Sequence, residues 1–211
     1  MTQRGWVSTT HDWAASVDAV HLQAVREATR EFAPNGVLHL VLEVLAYAAD
    51  EAKSKGVGRA VVTLNADGSV IVADDGRGTD TRREEDGGVV KKPVMATPDL
   101  RFFNDPSVQS LPDGHPRRGM SVVAALSDWL VHENRRLNGA WRQRYERGVP
   151  VSDLVPLPLD GSTGTLVHFK PSPNLGYLPA DAVPALSLSQ TAWLRVDVVD
   201  ARRSALGPRN A

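Results

Sequence analysis

The 211-residue sequence predicts an α+β fold built as one domain. Three observations carry that reading: two stretches of helical periodicity open the chain, a β-branched hairpin follows them, and a second group of strands follows a third helix. A chain of this length can bury a full hydrophobic core.

Helical spacing runs first from Ala14 to Phe32, where Val17, Val20, Leu22, Val25 and Ala28 recur and Pro34 ends the run. The second helix, Asn35 to Gly56, is apolar at almost every position except His39, Glu43, Tyr47, Asp50 and Glu51, which recur every three to four residues as one polar stripe. Such a stripe commonly faces bulk water. A helix so apolar elsewhere has little reason to keep a carboxylate midway along it, so Glu43 is expected to face a cavity. Two β-branched runs, Ala60 to Asn65 and Ser69 to Ala73, then form a hairpin across Ala66-Asp67-Gly68. From Thr79 to His115 the chain is rich in Asp, Glu, Arg, Gly and Pro with weak periodicity, and reads as a long mobile segment and a candidate lid. Helical order returns at Arg118 to Leu126, led by Gly119, whose first turn is a candidate phosphate contact. Strands are expected at Trp129 to Arg135 and Ala140 to Arg147, joined through Asn138-Gly139 in a type I′ turn. A further strand is read at Thr165 to Phe169, a helix at Ala180 to Ala192 and a last strand at Leu194 to Val199.

The most chemical of these segments is Ala73-Asp74-Asp75-Gly76-Arg77-Gly78 at the end of the first hairpin. An ionised Asp74 at a strand end can accept a ring amine in a charge-assisted hydrogen bond, worth about 1.5–3 kcal/mol net. Gly76 and Gly78, without Cβ atoms, let a flat base lie against the backbone. Taken alone, such a motif is more often a plain surface turn.

The formal net charge of −1 gives no basic excess for nucleic acid, so no direct nucleic-acid contact is expected. There is no cysteine, hence no disulfide framework or thiolate metal site. The first residues lack an apolar signal core, and the apolar stretch from Val37 to Ala49 is too short for a bilayer; a soluble cytoplasmic protein with no membrane partner is the expectation.

Several blocks in fixed order resemble the ATPase domain of bacterial gyrase B, a member of the GHKL nucleotide-binding group. They include His39 to Val44, Asp50-Glu51-Ala52, Val62 to Val70, Asp74 to Gly78, Ser121-Val122-Val123, Arg142 to Pro150 and Thr163-Gly164-Thr165. The resemblance implies a two-layer α/β sandwich, a mixed and mostly antiparallel sheet with helices on one face, and ATP bound between them. It implies Glu43 as general base, a role worth roughly 10²–10⁴-fold. It also implies Asp74 as the adenine acceptor, Thr165 as its support through water, Gly78 in the base pocket, Glu51 and Arg77 as a rim ion pair, and Arg136 as an inhibitor-contacting rim arginine. Asp50 and Gly119 complete the candidate nucleotide-binding positions.

Two features depart from that family. Tyr47 stands where the family places a Mg²⁺-holding asparagine, and a phenol suits that small hard cation poorly, so the Mg²⁺ bridge is expected to be lost and no metal ligand is assigned. The glycine-rich phosphate loop is replaced by Gly114-His115-Pro116-Arg117-Arg118-Gly119, in which proline removes a donor and the arginines read as solvated charge or side-chain phosphate contacts. The chain is also expected to carry neither the transducer nor the DNA-gate domain of full-length relatives. The resulting expectation is an ATP-binding domain with weak or absent hydrolysis; the alternative is a non-catalytic GHKL-fold protein that regulates a topoisomerase subunit or binds adenine-site inhibitors.

Overall fold

Asp18 opens the first helix by accepting the His21 N–H at 2.9 Å, which satisfies one of the donors a helix start leaves free. The structure is a computed structural model that describes residues 17–79, 81–83, 89–91, 94–103 and 109–203. The single helix read over Ala14 to Phe32 is two in the described part, α1 (Ala19–Glu27) and the short α2 (Thr29–Phe32). Thr29 Oγ1 donates to the Arg26 carbonyl at 2.8 Å, a local bond that competes with helical backbone pairing at the break. The next helix, α3 (Val37–Lys55), ends at Gly56, whose left-handed φ of 84° makes it the C-terminal stop.

The strands are β1 (Gly58–Leu64), β2 (Val70–Asp74), β3 (Thr81–Arg83) and β4 (Val89–Lys91), and after α4 (Leu100–Phe103) and α5 (Met120–Ala125) come β5 (Ser127–Arg136), β6 (Gly139–Glu146), β7 (Val149–Pro150), β8 (Val155–Pro156) and β9 (Gly164–Pro171). The one-turn α6 (Val183–Leu186) precedes β10 (Leu194–Asp200). The main sheet runs β10-β1-β2-β9-β5-β6-β7, with β8 beside β6 and a separate β3–β4 hairpin. Only β1 and β10 are parallel; the other pairs are antiparallel, so the sheet is mixed. Along β1 the residues Ala60, Val62 and Leu64 are buried in alternation, as befits a sheet with one covered face. That cover is a helical layer: α3 packs on β1, β2 and β10, α5 packs on β5 and β6, and the two helices meet each other. No helix among the described residues is long and apolar enough to cross a membrane.

Four local expectations need correction. Leu137 and Asn138 connect β5 to β6, and neither they nor Gly139 has a positive φ, so no type I′ turn forms there. Gly139 is needed for another reason, since a Cβ would collide with the Trp141 ring. The left-handed pair is Arg147 (φ 49°) and Gly148 (φ 86°), which turns β6 into β7. The helix read over Ala180 to Ala192 is a succession of single turns, Ala180–Ala182, α6 and Ser187–Ser189, because Pro184 lacks a donor and the chain is extended by Gln190. Finally, the described part of the supposed mobile segment is partly core: Val94, Met95, Ala96 and Asp99 are buried, and α4 follows them. The remainder of that segment, and residues 14–16, lie outside the described residues.

Candidate functional site

A cavity of about 400 Å³ lies against α3 and the strands β2, β5 and β9, within the range of small-ligand sites. Asp74, Gly78, Thr165, Tyr47, Asp50, Glu51 and Arg77 all line it, together with Met95, Arg101 and His132. Glu43, Gly119 and Arg136 are outside that lining.

At one end stands Asp74, the last residue of β2, with β9 as its neighbour strand. Its Oδ1 accepts the Gly76 N–H at 2.8 Å. Burial pushes its carboxyl up to about 6, against the opposing effect of the Gly76 and Thr165 N–H groups, with Asp75 and Glu51 adding to the rise. Gly164, which opens β9, has to be glycine because a Cβ would strike the Asp74 carbonyl. Gly78 (φ 79°) is pressed equally hard: a Cβ would sit 2.6 Å from the Arg135 carbonyl oxygen. Asn134 holds the following residue from both sides, accepting the Thr79 N–H at 2.5 Å and donating to the Thr79 carbonyl at 3.0 Å, while Arg136 Nη1 donates to the Gly78 carbonyl at 3.1 Å. Arg136 therefore acts on the wall through Gly78. The rim carries Arg77, whose Nε and Nη2 donate to the two Glu51 oxygens at 2.6 and 3.1 Å. This bond from Arg77 holds the Glu51 carboxyl below its usual range. With Arg77 59 % exposed, the pair contributes about 0–1 kcal/mol.

The opposite end is filled by the protein itself. Arg117 is only 1 % exposed; its guanidinium lies 4.5 Å from the Tyr47 ring centre and 4.4 Å from that of Phe102, and Nη1 donates to Asp50 Oδ2 at 2.8 Å. The sequence reading of Arg117 as a solvated or phosphate-facing charge is thus corrected: aromatic faces on α3 and α4 shelter the cation. Tyr47 donates its hydroxyl to Asp99 Oδ2 at 3.0 Å, and burial, reinforced by the Asp99 charge, keeps the phenol protonated. Arg101 grips the same carboxylate through two bonds, 3.0 and 2.6 Å long.

Glu43 is completely buried, and both its oxygens are engaged: Oε1 accepts the Arg118 N–H at 2.5 Å and Oε2 the Gly119 N–H at 2.9 Å. Those are the backbone donors that lead into α5. His39 Nε2 lies 3.5 Å from Glu43 Oε1, and its Nδ1 is 2.8 Å from Asp113 Oδ2. Burial alone would lower the His39 imidazole, but its bonds to Asp113 and Glu43 outweigh that and hold it at about 9. The stripe on α3 is therefore not one wet face. Its first two members, His39 and Glu43, are sealed in a chain with Asp113, and Tyr47, Asp50 and Glu51 reach the cavity. The four-residue spacing of His39 and Glu43 was visible in the sequence, whereas Asp113, Asp99, Arg101 and Asn134 had no local signal to mark them.

No family model matches the chain. It is 38% identical over 140 residues to gyrase B of Thermotoga maritima, a match that covers 65% of this chain and 22% of that protein. It is also 29% identical over 174 residues to the DNA topoisomerase 4 counterpart of gyrase B in Bacillus subtilis, covering 79% of this chain and 27% of the relative. The chain is a gyrase B-like, ATPase-domain-like protein. The corresponding type 2 topoisomerase polypeptide of Aquifex aeolicus adds 34% identity over 141 residues, covering 66% of this chain and 18% of that protein. The gyrase B-like chain thus spans about a quarter or less of the relatives it matches.

Homology of this kind implies ATP and Mg²⁺ use in the family, and the two ends of the cavity fit those groups differently. The Asp74 end offers a flat, glycine-edged wall and a carboxylate acceptor suited to an adenine amine. At the Tyr47 end the phenol is a protonated donor already bound to Asp99, and a hard cation needs anionic or carbonyl oxygens instead. The Mg²⁺-triphosphate group does not fit the residues found there.

Proposed function

We propose that this chain is a single nucleotide-pocket domain of the gyrase B type that recognises adenine and hydrolyses ATP weakly or not at all. The observation that carries the reading is Asp74, an acid half-buried at the end of β2, opening onto a 400 Å³ cavity beside Gly78 and Thr165. The ionised carboxylate accepts the exocyclic amine, Thr165 supports it from β9, and Gly78 and Arg77 bound the plane of the ring. Glu43 supports the second half of the proposal: a general base needs a free oxygen facing water and its target, and here both oxygens hold backbone N–H groups. A topoisomerase subunit is the proposed protein partner, suggested by the names of the relatives.

The alternative, a non-catalytic interaction protein or a receptor for adenine-site inhibitors, is favoured specifically by the buried Arg117 between Tyr47 and Phe102. Calorimetric titration with adenosine, repeated on Asp74→Asn, tests the adenine assignment, and phosphate release from ATP tests turnover. Binding lost in Asp74→Asn is the expected result. Undiminished adenosine affinity in that variant would remove the assignment. Turnover that disappears in Glu43→Ala would show that Glu43 leaves its backbone partners during a catalytic cycle and would reject the non-catalytic reading.

A further inference from the structure

We infer that the cavity selects purine ligands that carry no polyphosphate, namely a base, a nucleoside or a neutral to cationic mimic, over a nucleoside triphosphate. The inference rests on the adenine reading above and adds the class of ligand.

An anion leaving water needs donors and positive charge that are not already in use. The N–H groups of Arg118 and Gly119, which lead into α5, are both taken by Glu43. Three guanidiniums near the cavity are likewise matched to carboxylates: Arg77 to Glu51, Arg101 to Asp99 and Arg117 to Asp50. Asp74 is the acid left without a cation among these groups, so the uncommitted charge at the cavity is negative. A polyphosphate entering here would meet that charge across a poorly screened interior. An amine-bearing ring would be attracted by it.

Arg117 is the group best placed to oppose this selection, because its Nε and Nη2 have no hydrogen-bond partner among the described residues. Two orphan donors on a cation would suit a phosphate. They are, however, sealed: the residue is 1 % exposed and its planar group is flanked by Tyr47 and Phe102, so an anion would have to displace an aromatic ring to reach them. Tyr47 is held in turn by its bond to Asp99, which Arg101 also holds.

The test is a binding series with adenosine, AMP, ADP and ATP on the whole chain, by calorimetry, once in EDTA and once in excess Mg²⁺, with Asp74→Asn as the control. Affinity should fall along the series, adenosine exceeding ATP by roughly tenfold or more, with no recovery in Mg²⁺ and with adenosine binding lost in Asp74→Asn. ATP binding as tightly as adenosine, in either condition, would overturn this inference and leave the adenine assignment standing. Failure of every member of the series to bind would overturn the adenine assignment, and the ligand class with it.

Discussion

At the scale of single residues, Asp74 couples the cavity to pH. A carboxyl pushed up to about 6 by burial is mostly ionised at pH 7.5 and mostly protonated at pH 5. Only the ionised form gives the charge-assisted acceptor bond to a ring amine. Ligand affinity should therefore rise with pH through about 6 and be roughly tenfold weaker at pH 5 than at pH 7.5. Titration of adenosine at the two pH values checks this, and a flat profile would mean that Asp74 is not the group that meets the ring. Arg117 behaves in the opposite way. Its cation is stabilised by two aromatic faces and one carboxylate, so it is a fixed element of the pocket end rather than a mobile charge.

At the scale of elements, α3 and the turns around the sheet decide what reaches the cavity. The apolar pattern of α3 and the β1–β2 hairpin were legible in the sequence because both depend on local periodicity. So was Asp74 at a strand end, since the turn after it carries glycines. The burial of Arg117 was not legible: Arg117 and Arg118 look alike in sequence, and only the approach of Tyr47 from α3 and Phe102 from α4 separates them. The sealing of Glu43 was hidden for the same reason, because its partners come 75 and 76 residues later. The left-handed turn was misplaced to Asn138-Gly139 because the dipeptide rule ignores the Trp141 ring beside Gly139. Gly148, in the turn that does use left-handed backbone, has φ 86° and would place a Cβ 2.6 Å from Leu22 Cδ2. Gly114 has a similar φ of 82° but open space around it. Gly114→Ala should cost about 1–2 kcal/mol from backbone strain alone. Gly148→Ala should cost about 1–3 kcal/mol more, because the added methyl overpacks a buried leucine. Urea unfolding of the two variants checks the difference, and equal losses would show that Leu22 yields at no cost.

At the scale of the whole molecule, the buried chain Asp113–His39–Glu43 ties the loop before α5 to the middle of α3, and so links folding stability to pH. His39 is held at about 9 against an ordinary value of 6.5, which means the folded state binds its proton more tightly than the unfolded chain does. That contribution is fully present below pH 6.5 and is lost as pH rises through about 9. Its upper bound is about 3 kcal/mol. Asp113 is depressed by the His39 bond, with burial opposing it, so its contribution is present above its ordinary value of 3.8 and is lost in acid. Asp74 works the other way. Its raised carboxyl favours the folded state while protonated, and that preference fades as pH climbs from 3.8 to about 6. Stability should accordingly be broad near neutrality and fall between pH 7 and pH 10 by an amount that His39 dominates. Urea midpoints measured across that range should decline in the natural sequence and stay nearly level in His39→Asn, whose amide does not titrate there. A parallel decline in both proteins would place the alkaline loss in some other group and break the link from α3 to the loop.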